Sequence, residues 1–453
     1  MVRGRPRTDQ AYAPASVGPE LDTSPANRLL PAREMRGVHA GAIVLAGILA
    51  LNGGNYLFHL ISARALGPAR YGDIVSLLAL AGLIVVPLGG VQLVVARTAA
   101  RLAAAGETER LRAFFRLGLL GVAALAVALA TLVAAAAPLV RDWLGIDSMS
   151  AILLTALLTL PTLVAPVALG VAQGLQRFGL YSASMCAIAV VRVGVLALLV
   201  AAGLTVTGAM AATIAGALAG LLLPLFGLRH ELLGAASGRP PLSFVAARRS
   251  LTPGVVGLLA ITSLTSADVI VAKAALSGHD AGIYGGASLI GRVIVLVAAA
   301  VVTVLLPKVS TRTTRGEASS DILAASLGVT VAASAAATLV YIAFPGQIVK
   351  LAFGSEFDDA AGLLGLFGIA MSGYAVLNVL LVYHLARHAS GTSWLLLGGA
   401  FAQLAGFAMF HESPRQLLAV SIATMATLLV THEAFVDRSL TTALFEQAHR
   451  RPR

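Results

Sequence analysis

A chain of 453 residues that is 58% hydrophobic and 12% charged, with a mean hydropathy of +0.88, is excluded from the soluble globular class, in which about 25% of residues carry charge. Its formal charge of +11 would suit nucleic acid in a soluble protein, but here the basic residues fall between apolar runs, where they set membrane orientation, so no nucleic-acid partner is expected. A single cysteine, Cys186 within an apolar run, excludes an intramolecular disulfide and a cysteine-built metal cluster.

Residues 1–38 are rich in Pro, Arg, Ala and Ser with no apolar stretch ahead of them; they read as a disordered cytoplasmic tail, not a signal peptide. About 20 apolar residues span the hydrocarbon as a helix. Twelve such runs follow, at 39–63, 73–96, 115–140, 149–174, 181–202, 207–228, 252–276, 283–306, 322–345, 359–386, 393–411 and 415–436. The expected fold is all-α: a polytopic membrane protein of about 12 transmembrane helices in two six-helix bundles.

The first run contains "LNGGNYLFH", Leu51 to His59, where Asn52, Asn55 and His59 line a cavity or a bend whose freed backbone needs protein or water. A polar elbow, "ARALGPARYGD", Ala63 to Asp73, links it to the second run, in which Pro87, Gly89 and Gly90 suggest a bend, as do Pro161 and Pro166 in the fourth. Gln92 and Gln173 are further candidates for a polar cavity, although hydrogen bonding between helices accounts for such residues equally well. Arg192, in "AIAVVRVGVLAL" of the fifth run, has no acidic neighbour in sequence.

Between the sixth and seventh runs lies "RHELLGAASGRPPLSFVAARRS", Arg229 to Ser250, the one long polar connection. It divides the chain into bundles at 39–229 and 251–436, with a cytoplasmic linker at 230–250. The seventh run carries Asp268 and, nearer its end, Lys273; the eighth carries Arg292. At about 1.5 Å of rise per residue, Asp268 and Arg292 fall at similar depths. Buried ions of this kind either pin helices as a salt bridge or build a cationic site with a carboxylate that couples it to an ion gradient. Asn378 and His384 in the tenth run and Gln403 in the eleventh complete the polar set, and residues 437–453 form a second cytoplasmic tail.

The positive-inside rule tests the count of helices. With the N-terminus in the cytoplasm, 24 of the 32 Lys and Arg residues fall in inner segments, and the outer ones hold only Arg64, Arg70, Arg141, Lys273, Lys350 and Arg415. Both termini are therefore expected in the cytoplasm. The elbow recurs in the second half as "KAALSGHDAGIYGG", Lys273 to Gly286, with Tyr71 and Tyr284 213 positions apart. A second echo sets "GLQRFGLYS" against "HLARHASGTS", pairing Arg177 with Arg387, 210 apart. Six plus six helices in parallel repeat are the architecture of carriers that rock two lobes about a central site.

No Gly-rich nucleotide loop and no HExxH motif occurs, no DDxxD-like cluster marks a metal-dependent transferase, and no cofactor is expected. The chain reads as a transporter and not an enzyme. The runs "ARALGPARYGDIVSLLALAGLI", "VARTAARL", "GLQRFGLYS", "ADVIVAKAALSGHDAGIYGGASLIGRVIVLVAAAVVTVLLPKVS" and "IVKLAFGSEFDDAAGLLGLFGIA" resemble, in order and spacing, the polysaccharide-biosynthesis flippases. These belong to the multidrug/oligosaccharidyl-lipid/polysaccharide exporter superfamily. The resemblance covers roughly residues 39–436. It implies a plasma-membrane flippase that carries polyprenyl-pyrophosphate-linked oligosaccharide to the outer leaflet, with a polysaccharide polymerase or glycosyltransferases as candidate partners. It further implies a cationic cavity in which Arg292, Arg192 and Arg64 pair with pyrophosphate or acidic sugar, and matches Asp268 to an aspartate of the seventh helix. The alternatives are a lipid II flippase, which normally has two extra C-terminal helices, a cation-coupled multidrug antiporter, which needs an acidic and aromatic cavity, and a non-transporting scaffold.

Overall fold

The computed structural model describes residues 30–85, 89–203, 205–234 and 244–436. The bend expected at Pro87, the tail at 437–453 and most of the tail at 1–38 lie outside them. The regular elements among these residues are helices: α1 Leu30–Val85, α2 Gly89–Ala104, α3 Thr108–Ala135, α4 Ala137–Leu144, α5 Met149–Gly174, α6 Phe178–Ala201, α7 Val206–Gly227 and the short α8 Arg229–Leu232 in the first half. The second half holds α9 Phe244–Ala275, α10 Gly278–Gly291, α11 Val293–Thr314, α12 Ser320–Ala343, α13 Pro345–Phe353, a 3-10 turn Ser355–Ala360, α14 Ala361–Ala386, α15 Gly391–Met409 and α16 Pro414–Thr431. Helix α1 starts within the expected tail, and α9 within the expected linker.

Among the described residues, eleven segments are long and apolar enough to cross a membrane. The first of them, Gly41–Val85, has 45 residues, twice what one crossing needs. It is interrupted at Gly67, whose φ of 71° and ψ of 174° leave helical space, a conformation in which glycine meets no Cβ penalty. Pro68 follows, with its fixed φ and missing N–H suited to the first turn of a new helix. Two crossings therefore run in series through α1, which reconciles eleven segments with twelve apolar runs.

Helices α1 to α7 pack mainly among themselves, as do α9 to α16. Helix α5 is the most enclosed of the first group and α14 of the second. One apolar core gathers Phe58, Ile74, Leu77, Ile152, Leu196 and Met210; another gathers Tyr284, Phe367, Tyr374, Leu377, Phe407 and Leu417. Leu120, Leu198 and Phe401 are largely exposed on the periphery, the arrangement expected where the surrounding solvent is lipid.

The repeat is visible in backbone conformation. The turns after α5 and α14 each place a non-glycine residue in the left-handed region, Gln176 at φ 57° and His388 at φ 60°. In both, the next amide bonds back across the helix end, Arg177 N to Ala172 O at 2.8 Å and Ala389 N to His384 O at 2.9 Å. Gln176 thus corresponds to His388 and Arg177 to Ala389, so the pairing of Arg177 with Arg387 suggested by sequence is two residues out of register. A further repeat went unseen in sequence: α4 and α13 each carry proline in the first turn and end at a glycine with positive φ, Gly145 and Gly354.

The two lobes meet at the end of the molecule that carries the elbows, where α1 packs on α9 and α10, α4 on α9, and α13 on α1. The elbows touch backbone to backbone. A Cβ on Gly282 would collide with the main chain of Pro68, and one on Gly72 would lie 3.0 Å from Gly282 N. Among the described residues, no comparable pairing joins α2, α3 or α7 to α11, α12 or α14. Of α2, α3 and α7, it is α2 that reaches the other lobe, through a small contact with α9.

Candidate functional site

Three polar groups meet between α9 and the joint of α10 with α11. Asp268 is 1% exposed on α9. Its Oδ2 accepts a 2.9 Å hydrogen bond from Tyr284 Oη, and its Oδ1 lies 3.3 Å from Arg292 Nη2. Arg292 occupies the single residue between α10 and α11, and Tyr341 on α12 donates to the carbonyl of Ile290 there at 2.8 Å, satisfying an acceptor beside the joint. The carboxylate is enclosed, while the arginine side chain keeps 24% exposure. The pair pins α9 to α10 yet leaves one side of the guanidinium accessible.

Arg192 on α6 is held differently. Its Nη1 donates to Asn55 Oδ1 at 2.7 Å, and its guanidinium carbon stands 3.6 Å from the centre of the Phe58 ring, a cation–π geometry. Gly216 on α7 makes this position available, since a Cβ there would come within 2.7 Å of Arg192 Cβ and of Ile188 O. No carboxylate pairs with Arg192 among the described residues, and its Nε is buried without a partner. Counting back from the elbow breaks at Gly67 and Ser277, Phe58 and Asp268 are each nine residues in. Each lobe therefore sets an arginine against the same level of its elbow-leading helix, one on an aromatic face and one on a carboxylate.

The elbow tyrosines behave alike. Tyr71 Oη lies 3.2 Å from His59 Nδ1, as Tyr284 Oη bonds Asp268, so each reaches back across its elbow to a polar group on the preceding helix. His59 is buried edge-on to Phe58 and Tyr71, the setting of a packed core histidine. Arg192 stands on Phe58 of α1, and α1 packs on α9 and α10, which carry the Asp268–Tyr284 pair that holds Arg292.

The other sequence candidates separate from it. Arg64 donates to the carbonyl of Leu351 on α13, which places it at the elbow end and not with the two central arginines. Lys273 does not join Asp268: its Nζ is 2.6 Å from Asp73 Oδ1, with side chains 8% and 16% exposed, so it bridges the lobes beside the elbows. Gln92 bonds Gln173 at 3.3 Å between α2 and α5, and Asn52 bonds the Ile48 carbonyl of its own helix at 2.9 Å. Asn378 is half-buried on α14. Gln403 ties α15 to Leu264 O, Tyr374 and Ser421, and the His384 ring lies against that of His432, tilted by 53° with ring centres 5.1 Å apart. Phe58, Tyr284 and Asp73 were missed in sequence because aromatic and elbow residues carry no signal of their own; only the duplicated tyrosine pointed to them.

Solved structures share this fold. The lipid II flippase MurJ in an inward closed conformation superposes with a TM-score of 0.66 at 14% identity, covering 90% of this chain and 87% of that one. An inward-facing multidrug resistance transporter of the MATE family, in the MOP superfamily, gives 0.64 at 14% identity, covering 84% and 92%. A MOP superfamily transporter from Pyrococcus furiosus, described as having a binding pocket of reverse polarity, gives 0.55 at 14% identity, covering 88% and 94%. No curated protein sequence matches the chain. The model of the family described as "Polysaccharide biosynthesis protein" matches residues 38–312, and with well over half of its length matched the chain belongs to that family.

Proposed function

We propose that the protein is a flippase that carries a polyprenyl-pyrophosphate-linked oligosaccharide from the inner to the outer leaflet of the plasma membrane, by alternating access between the two lobes. The observation that carries this reading is Arg192, a membrane-embedded guanidinium with no carboxylate partner among the described residues, set against its lobe at the same level as Arg292, whose side chain keeps 24% exposure. A cation at the middle of a bilayer costs at least about 2.5 kcal/mol, and an arriving pyrophosphate offsets that cost through bidentate, charge-assisted bonds. An organic-cation exporter would gain nothing from this pair.

In this reading the elbow end is extracellular, as the distribution of basic residues indicates, and the contact between elbows is the outer closure. Lys273–Asp73 and Arg64–Leu351 O tie that closure. In the same reading the lobes part at the basic end to admit the head group from the cytoplasm. Asp268 holds Arg292 in position and is the site at which a proton or sodium ion would exchange for the arginine during the cycle.

The test is accumulation of polyprenyl-pyrophosphate-linked oligosaccharide on the inner face, with loss of surface polymer, when the gene is deleted. Rescue by the natural chain but not by Arg192→Ala or Arg292→Ala, at equal membrane levels, supports the reading. Rescue by both variants refutes it. Accumulation of lipid II instead assigns the cell-wall precursor, and sensitivity to organic cations with unchanged glycolipid assigns a drug exporter.

A further inference from the structure

A crevice of about 1170 Å³ opens between α11 and α12 near the end that carries the basic loops, apart from Arg192 and Arg292. One face of α11 lines it, and that face changes character along its length. Val301 and Leu305 form its deeper part, and Lys308, Arg312 and Arg315 its mouth; the spacing of four, three, four and three residues keeps all five on one side of the helix. Across the gap, Ile322, Ala325 and Val329 of α12 supply the opposing apolar wall.

The cations at the mouth are not equivalent. Arg312 is committed to Asp321 and to the carbonyl of Ala318, and so ties the two helices together and fixes the width of the opening. Lys308 and Arg315 are exposed and form no ion pair among the described residues; the carboxylate opposing them at the mouth is Glu317. The crevice is therefore apolar toward the membrane interior and cationic toward the membrane surface. That polarity, along the helix axis, is the polarity of an anionic lipid in its leaflet.

We infer that this crevice is a binding site for an anionic glycerophospholipid, its phosphate at Lys308 and Arg315 and an acyl chain between α11 and α12 along Leu305, Val301 and Val329. The assignment does not depend on the transported substrate. It predicts that lipid bound there braces α11, the helix that continues from Arg292.

The test is native mass spectrometry of the purified full chain in neutral detergent with an equimolar mixture of phosphatidylglycerol and phosphatidylcholine. Two cations at the mouth, without an ion-pair partner among the described residues, favour a lipid with net negative charge over a zwitterionic one, so bound phosphatidylglycerol should exceed phosphatidylcholine several-fold. Lys308→Glu/Arg315→Glu should bring the two lipids to parity, and Ala325→Phe, which fills the crevice and leaves the charges, should remove the bound lipid. Arg97→Glu/Arg101→Glu, on the last turns of α2, should leave the preference intact. Should the glutamate variant not elute as a single folded species, Lys308→Gln/Arg315→Gln replaces it, with the same expectation. Preference that survives in the crevice variants, or that is lost equally in Arg97→Glu/Arg101→Glu, overturns the site. Displacement of phosphatidylglycerol by a polyprenyl phosphate at equal concentration overturns the phospholipid assignment in favour of the isoprenoid.

Discussion

The Asp268–Arg292 pair makes an unequal prediction for its two halves. Arg292→Met leaves a carboxylate that is 1% exposed with only the Tyr284 hydroxyl to serve it. Removing one member of a buried pair costs about 3–5 kcal/mol; the retained hydroxyl argues for the lower figure. Asp268→Asn leaves Arg292 with 24% of its side chain exposed and still able to bond the amide oxygen, so the loss is that of a charge-assisted hydrogen bond, about 1.5 kcal/mol. The double variant buries no charge and should cost no more than about 1.5 kcal/mol, leaving a coupling energy near 3 kcal/mol in the cycle. Detergent-solubilised protein titrated with sodium dodecyl sulfate, with helicity followed by circular dichroism, would rank the four proteins. Transport should not follow the same order, because the double variant regains its fold without regaining the guanidinium. Additive single costs, or a greater loss in Asp268→Asn than in Arg292→Met, would refute the assignment of the buried anion as the costly member.

Asn55→Asp supplies Arg192 with the carboxylate it lacks; the fold should hold or gain stability while glycolipid transport falls at least about tenfold, the equivalent of 1.4 kcal/mol, and unchanged transport would remove Arg192 from the substrate path. Gly282→Val drives a side chain into the Pro68 backbone and should part the elbows. In a Cys186→Ser background, a thiol introduced by Ala63→Cys, at a position with 0% exposure, should then become reactive to an impermeant maleimide, whereas continued protection would show that the elbows are not the closure. Lys273→Met should destabilise that closure by about 1.5–3 kcal/mol, the range for a hydrogen bond to a charged group, and the exchange Asp73→Lys/Lys273→Asp should recover most of it in the same accessibility assay.

The closed elbow end also accounts for the duplicated polar segment. Each copy turns the chain at a membrane surface, and each places a tyrosine where it can bond back to the helix before the turn. The second copy is longer by three residues between its leucine and its tyrosine, so the two tyrosines reach different partners, His59 and Asp268. Small residues at Gly72 and Gly282 then let the copies meet main chain to main chain, a mode of contact suited to lipid, where close packing replaces the hydrophobic drive between helices.

Fold class and repeat were legible in the residues because the bilayer imposes one-dimensional rules: about 20 apolar residues for each crossing, and basic residues held to one side. Those rules act along the chain, so they located the helices and marked Asp268, Arg192 and Arg292 as costly groups that need an explanation. They do not act around the helix axis. Whether Lys273 turns to Asp268 on its own helix or to Asp73 on the other lobe, and whether Arg64 joins the central arginines or ties down Leu351, depends on the rotation and neighbours of each helix. Packing sets these through contacts such as Gly216 against Arg192 and Gly282 against Pro68. The cationic pair, the elbow closure and the crevice between α11 and α12 exist only where helices distant in sequence meet, and the tertiary structure alone decides that.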